Sequence, residues 1–265
     1  MNVDAKKKFA ITMTGENLST LTQVTDNAEP CMDPFGGDNG APLYFSVREN
    51  KKYYNIYKKA NPFSAAMSQK TSGKNFNRNP WYNPATDKLA FSCMQDGSST
   101  SDIFTMFDNK GKALSQITES SDAYEENPSF NKDGSKIVYN KIQNTYYRKV
   151  NWAGMLFGFG VSTVIVQNSD IWMKDMKTGE TTLLSNGYQP SFSPDGKRIV
   201  FQSSKKDKKD ADLYVVDTDG NNLVQLTVNK SYDGQPYWTT DGYIYFVSDR
   251  GNDPGNYQIW RFKYE

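Results

Sequence analysis

Three aspartates recur in one local setting along the chain: Asp133, Asp195 and Asp241, each followed by a glycine, Gly134, Gly196 or Gly242. Repeated carboxylates invite a glycosidase reading, in which two acids flank one bond. Their setting argues otherwise. Each acid stands at the same place in its own copy of one phrase, so copying distributes equivalent acids and does not converge two of them on a substrate. An aspartate before glycine bonds nearby backbone, and the glycine takes the positive φ of a tight reversal. All six residues are therefore expected to build turns, with no catalytic role.

The remaining chemical inventory is short. The 265 residues include no histidine, which removes the usual general base near neutral pH and the commonest transition-metal ligand. Ser-His-Asp, Cys-His and His-metal chemistries are excluded. Cys31 and Cys93 are the only cysteines, too few for a disulfide framework or a Cys-rich metal site, and two separate thiols are expected over a bridge. Asp217–Asn222, DTDGNN, imitates the start of a calcium loop, but Val228 fills the twelfth position where a bidentate glutamate belongs. The residues thus call for no metal and no cofactor. Lys plus Arg number 31 against 30 Asp plus Glu, a net charge of +1, so no global field favours nucleic acid as a partner.

The turn acids belong to a repeat. QPSFSPDGKRIVF, from Gln189, returns as NPWYNPATDKLAF from Asn79, NPSFNKDGSKIVY from Asn127 and QPYWTTDGYIYF from Gln235, with a degenerate copy, DPFGGDNGAPLYF, from Asp33. The leading prolines Pro34, Pro80, Pro128, Pro190 and Pro236 are spaced 46, 48, 62 and 46 residues apart. A second echo follows: SDIFTMFDNKGKALSQIT from Ser101, SDIWMKDMKTGETTLLS from Ser169 and ADLYVVDTDGNNLVQLT from Ala211. Each unit reads as two hairpins, hence four strands, and a period in the forties with strand content signals propeller blades. KIVYN from Lys136 and RIVFQ from Arg198 are nearly continuous apolar runs, as expected of strands covered on both faces.

These phrases resemble the TolB-like (PD-G repeat) β-propeller family of bacterial cell-envelope proteins, whose hallmark is x-P-x-[FW]-S-P-D-G-x-x-[IL]-x-[FY] followed by [DL]-[IL]-[WY]-x-x-[DN]. QPSFSPDGKRIVFQS with ADLYVVDTDGNNLVQLT matches almost completely, and the likeness extends over about residues 18–265. The first copy lacks the Pro-Asp-Gly turn and the last reads Thr-Thr-Asp-Gly.

The expected fold is all-β: one propeller domain, residues 1–265, of four-stranded antiparallel blades, with five blades favoured over six. The carboxyl-terminal unit stops after a third strand, YQIWRFKYE, and NLSTLTQVT, Asn17–Thr25, reads as the missing fourth that closes the ring. Residues 1–16 form an extension or spare strand, in which Phe9–Thr14, FAITMT, resembles another third strand. The 62-residue spacing hides an apolar insertion at 144–168 within the third blade, between its second and third strands. Its core, Trp152–Val166, is fifteen residues, short of the roughly 20 a membrane-spanning helix needs. Glycines and β-branched residues favour a hairpin there. The insertion either packs on its neighbour or offers Tyr146, Tyr147, Trp152, Phe157 and Phe159 as a partner-binding surface. SSKKDKKDAD, Ser203–Asp212, reads as a solvated loop on the same face.

The resemblance implies a non-catalytic protein- or peptide-binding scaffold, with envelope or peptidoglycan-associated proteins as partners and a periplasmic or outer-membrane-associated location. The alternative is a carbohydrate-binding or carbohydrate-active propeller of the lyase or hydrolase kind. The amino-terminal MNVDAKKKFAITM lacks the apolar core of an export signal.

Overall fold

The computed structural model of the protein describes residues 31–36, 41–109, 113–150, 161–204, 211–228, 230–250 and 258–264, with backbone alone at 144–150 and 161–167. Every regular element among them is a strand, and no helix is long and apolar enough to cross a membrane.

The strands form successive antiparallel sheets. The first holds β1 (Cys31–Gly36), β2 (Leu43–Glu49), β3 (Tyr53–Lys59) and β4 (Met67–Gln69), and the second β5 (Phe76–Asn83), β6 (Lys88–Met94), β7 (Asp102–Phe107) and β8 (Ser115–Gln116). One parallel bridge, Tyr54 to Phe76, links these two at their edges. The third holds β9 (Ala123–Phe130), β10 (Lys136–Val150), β11 (Val161–Asp175) and β12 (Thr181–Asn186). The fourth holds β13 (Tyr188–Phe192), β14 (Arg198–Ser203), β15 (Asp212–Asp217) and β16 (Val224–Gln225). The last holds β17 (Asp233–Trp238), β18 (Tyr243–Ser248) and β19 (Gln258–Lys263).

Burial explains the apolar second strands. Consecutive residues Ile199, Val200 and Phe201 of β14 are all fully buried, because alternate side chains point to opposite faces and each face meets another sheet. Ile199 and Phe201 join Val138, Ile171 and Phe192 between the third and fourth sheets, whereas Val200 joins Leu213, Trp238 and Phe246 between the fourth and fifth. Equivalent clusters lie between the first and second sheets, around Tyr44, Ile56 and Phe91, and between the second and third, around Ile103, Phe130 and Ile137. The molecule is therefore a stack of sheets arranged radially, the β-propeller architecture.

The aspartate–glycine turns join first to second strands. Asp133 Oδ1 accepts the Ser135 N–H at 2.9 Å, and Asp195 Oδ1 accepts the Lys197 N–H at 3.1 Å. Asp241 Oδ1 accepts the Thr239 hydroxyl at 2.5 Å. Gly134, Gly196 and Gly242 have φ of 70°, 69° and 87°. A Cβ at Gly134 would stand 2.8 Å from the Thr86 methyl of the preceding sheet, so this turn is also an inter-sheet contact. Cys31 and Cys93 remain thiols, with no disulfide between them.

The third sheet departs from the rest. β10 and β11 pair from Lys136–Asp175 to Val150–Val161, while their outer partners stop earlier, β9 opposite Gln143 and β12 opposite Asp170. The insertion thus lengthens two existing strands into a two-stranded ribbon, about seven residues or roughly 23 Å beyond the sheet at 3.3 Å per residue. Asn17–Thr25, expected to close the ring as a fourth strand, and Phe9–Thr14, expected to compete with the last sheet's third strand, lie outside the described residues, as do residues 151–160 of the insertion.

Candidate functional site

Each inner strand loses its regular pairing at the leading proline of its repeat. The register shifts between Met32 and Phe35, Arg78 and Trp81, Tyr188 and Ser191, and Gly234 and Tyr237; in the third sheet it shifts between Val138 and Asn140, opposite Pro128. Proline cannot donate to a ladder, so an inner strand holds one at a bulge. The residue before each proline adopts the left-handed conformation: φ is 53° at Asp33, 53° at Asn79, 54° at Asn127, 52° at Gln189 and 53° at Gln235. Aspartate and asparagine accept it readily and glutamine less so. These five bulges face one axis, where they line a cavity of about 480 Å³.

Side chains at this end tie neighbouring sheets together. Arg78 Nε donates to Asp33 Oδ2 and its second nitrogen to Asp33 Oδ1, both at 3.0 Å, a bidentate pair between the first and second sheets. The Asp33 carboxylate also accepts the Ser46 hydroxyl at 3.1 Å and the Asn79 N–H at 3.4 Å. Asn140 Oδ1 accepts the Gln189 N–H at 3.4 Å, and Gln202 Oε1 accepts the Gln235 N–H at 2.6 Å. The amide ahead of the proline in the fourth sheet is thus held by the third, and that in the fifth by the fourth. The hydrogen bonds to Asp33 raise the Arg78 pKa above its ordinary value. Burial raises that of Glu126, against the attraction of Arg78.

Beyond the prolines the channel becomes aromatic. A second cavity, of about 410 Å³, is lined from all five sheets, among them by Phe35, Trp81, Phe130, Phe192, Tyr237 and Trp238. The position after each leading proline is occupied by Phe35, Trp81, Ser129, Ser191 and Tyr237, and four of these, Ser129 excepted, border both cavities. The waist is lopsided. Phe35 packs on Trp81 with ring centroids 5.2 Å apart and meets Tyr237 edge-on at 6.2 Å, forming an aromatic arc over three sheets, while the other two contribute serines. Ser191 Oγ accepts the Trp238 N–H at 3.1 Å. Ser129 Oγ and Trp238 Nε1 are buried without a hydrogen-bond partner among the described residues. Lys132 is the one charged residue among the described residues of the lining, which include no carboxylate.

This site is not the one expected from the sequence. Tyr146 and Tyr147 lie on the ribbon, opposite Ile165 and Val164 in register, and Trp152, Phe157 and Phe159 fall outside the described residues. The ribbon leaves β10 at the end away from the Asp133 turn, hence on the polar face of the disc and not the aromatic one. The aromatic lining was present in the repeated phrase as the residues after each proline. What signalled it was their divergence, Phe, Trp, Ser, Ser and Tyr, at a position every copy aims at the axis.

The family model for the TolB beta propeller domain matches residues 163–265. The Tol-Pal system protein TolB of Francisella tularensis is 27% identical over 134 residues, 49% of this chain and 26% of that protein. The chain therefore spans about a quarter of the curated relatives it matches. The crystal structure of TolB from Acinetobacter baumannii superposes with a TM-score of 0.64 at 16% identity, covering 86% of this chain and 51% of that one. A protein assigned to TolB from Agrobacterium tumefaciens gives 0.65 at 18% identity, over 91% and 79%. An oligogalacturonate lyase in complex with manganese gives 0.58 at 17% identity, over 86% and 60%. The same architecture thus occurs in a Tol-Pal system protein and in a lyase, and activity must be argued from the site.

Proposed function

We propose that this β-propeller, whose residues 163–265 match the TolB beta propeller domain model, is a non-catalytic scaffold for protein partners of the bacterial cell envelope, peptidoglycan-associated proteins included, and that a partner segment docks in the aromatic end of its channel. The observation that carries this reading is the lining: an aromatic arc, Tyr237, Phe35 and Trp81, facing two buried polar atoms, Ser129 Oγ and Trp238 Nε1, that bond nothing among the described residues. Peptides suit such a pocket. An apolar side chain fills the arc, a backbone N–H donates to Ser129 Oγ, and a carbonyl accepts from Trp238 Nε1, relieving the cost of two unpaired groups. Acid–base chemistry on a bound sugar has no carboxyl group to call on among the described residues of this lining. The ribbon that carries Tyr146 and Tyr147 is proposed as a second contact surface, together with Trp152, Phe157 and Phe159 of the insertion.

Tyr237 is 38% exposed, so Tyr237→Asp tests the pocket with little risk to the fold. The immobilised chain should retain one specific envelope protein, and the variant should bind it at least tenfold more weakly, as for an aromatic anchor. Replacing residues 152–166 by a short Gly-Ser turn tests the ribbon in the same assay. Retention unchanged by both alterations, or polysaccharide turnover by the purified chain, defeats the reading; turnover would favour the carbohydrate-active alternative that an aromatic arc also suits.

A further inference from the structure

The aromatic cavity breaks the repeat at a second place. In four of the turns between first and second strands, Asn83, Asn131, Ser193 and Thr239 are followed by Pro84, Lys132, Pro194 and Thr240. All four of these following residues line the cavity. Three of the turns close by one bond: the Gly134, Gly196 and Gly242 N–H groups donate to the carbonyls of Asn131, Ser193 and Thr239 at 3.0, 2.9 and 3.0 Å. Lys132, Pro194 and Thr240 therefore share one backbone position, the second of a four-residue turn, where proline presets φ. Lysine gives up that local advantage.

The Lys132 side chain is exposed, and its ammonium group pairs with no carboxylate among the described residues. Its backbone is nonetheless fixed. Asn83 Nδ2, in the second sheet, donates to the carbonyls of Asn131 and Lys132 at 3.0 and 3.2 Å. The neighbouring acid is engaged by its own turn: Asp133 Oδ1 accepts the Ser135 N–H at 2.9 Å and the Ser135 hydroxyl at 2.7 Å, and Asp133 does not line the cavity. A rigid turn thus presents an unpaired cation at the mouth of a cavity whose described lining holds no carboxylate.

The depth of the cavity fixes a spacing. Ser129 lies three residues before Lys132, so at 3.3 Å per residue the two are at most about 10 Å apart, with Lys132 nearer the turn. An extended ligand covers that span in two or three residues.

We propose that the segment docked in this cavity carries an acidic side chain, two or three residues from the apolar one that fills the arc, and that Lys132 pairs with its carboxylate. This rests on the partner site proposed above and gives it a charge preference, since a segment with Lys or Arg at that spacing meets a like charge. A carboxyl terminus directly after the apolar residue falls short of the span.

The test uses synthetic peptides and tryptophan fluorescence, because Trp81 and Trp238 line the cavity. Ac-Gly-Glu-Gly-Phe-Gly-Glu-Gly-NH2 places an acid on both sides of the apolar residue, and its analogue carries Gln for both Glu. The acidic peptide should bind the wild type about twofold to fivefold more tightly, as for an exposed ion pair. Lys132→Pro restores the residue of the fourth sheet's turn and removes an N–H that makes no hydrogen bond among the described residues; it should abolish the preference without lowering the unfolding midpoint. Lys132→Glu should reverse the preference, and Tyr237→Asp should weaken both peptides and keep their ratio. Equal binding of the two peptides to the wild type, with both weakened by Tyr237→Asp, overturns the charge preference and leaves the pocket standing. An equal gain from Ac-Gly-Gln-Gly-Phe-Gly with a free carboxyl terminus overturns the assignment to a side chain. Absence of any fluorescence change, or binding indifferent to Tyr237→Asp, defeats the pocket and this inference with it. Trigalacturonate bound more tightly than the acidic peptide, with the same dependence on Lys132, overturns the peptide in favour of a carbohydrate.

Discussion

Asp108 ties the first two sheets together, and Asp108→Asn measures what that tie contributes. Its side chain is fully buried, and it meets the ammonium groups of Lys58 and Lys70, whose side chains are 16% and 15% exposed. Lys70 Nζ stands 2.8 Å from Oδ1, and it also donates to the Asp108 carbonyl at 3.2 Å. Lys58, which bonds Oδ2, lies 5.4 Å from the Tyr44 ring centroid and 5.9 Å from that of Tyr82. Burial by itself would raise the Asp108 pKa, but the two lysines outweigh it and the pKa is lowered. Asparagine keeps the shape and removes the charge, leaving two largely buried cations facing each other. Removing one partner of a buried ion pair costs about 3–5 kcal/mol; the residual exposure of both lysines places the expected loss near about 3 kcal/mol. At 2–4 °C per kcal/mol for a chain of this size, that is roughly 6–12 °C in Tm. Urea unfolding followed by tryptophan fluorescence should show a lower midpoint with an unchanged slope. The sign of the pH dependence is fixed. A carboxylate whose folded pKa is depressed contributes fully above its unfolded value and loses that contribution as pH falls through the folded one. Wild type and variant should therefore converge on acidification below about pH 4. A loss under 1 kcal/mol at pH 7, or a gap that does not narrow in acid, would refute the assignment.

Two further outcomes follow from the channel. Gln235→Val puts a β-branched side chain at φ 53° and should lower the unfolding free energy by about 1–2 kcal/mol, whereas Gln235→Asn should not lower it; equal losses in both would mean that the side chain matters and the backbone strain does not. For Glu126, burial raises the folded pKa against the attraction of Arg78, so its stabilising protonated form is complete below the unfolded pKa and is lost as pH rises through the folded one. Glu126→Gln should accordingly raise the urea midpoint at pH 7 and leave it nearly unchanged at pH 4, and a lower midpoint at pH 7 would show that the attraction to Arg78 dominates.

The parts of this fold legible from sequence are those that copying enforces. Pro-Asp-Gly and its variants mark the reversals because the chemistry is local: an aspartate bonds backbone two residues on, and Gly134, Gly196 and Gly242 supply positive φ. Radial stacking was legible in the unbroken apolar runs, since Ile199, Val200 and Phe201 can all be buried only between two other sheets. The bulges were not. A left-handed residue before proline contradicts the local preference for extended backbone there, and it becomes tolerable only once a neighbouring sheet holds that residue's amide, as Asn140 holds Gln189 and Gln202 holds Gln235. Likewise the insertion's sequence signalled a hairpin, but the prolongation of β10 and β11 depends on pairing register, which no residue in it announces.

The channel shows why the site was harder to see than the scaffold. Stacking demands that each copy repeat its neighbours, so the shared residues, leading proline, turn acid and apolar run, describe architecture. Binding demands the reverse, because a ring of five identical side chains offers a ligand five equivalent orientations and prefers none. At the residue after the proline this chain breaks its own symmetry, with Tyr237, Phe35 and Trp81 on adjacent sheets and Ser129 and Ser191 on the other two. That split would give a segment docked there as proposed an apolar side and a hydrogen-bonding side, and hence one orientation. Equalising the ring should therefore weaken discrimination among docked segments, and Ser191→Phe, which extends the aromatic arc, should also lower the unfolding midpoint because it leaves the buried Trp238 amide without the hydroxyl it bonds.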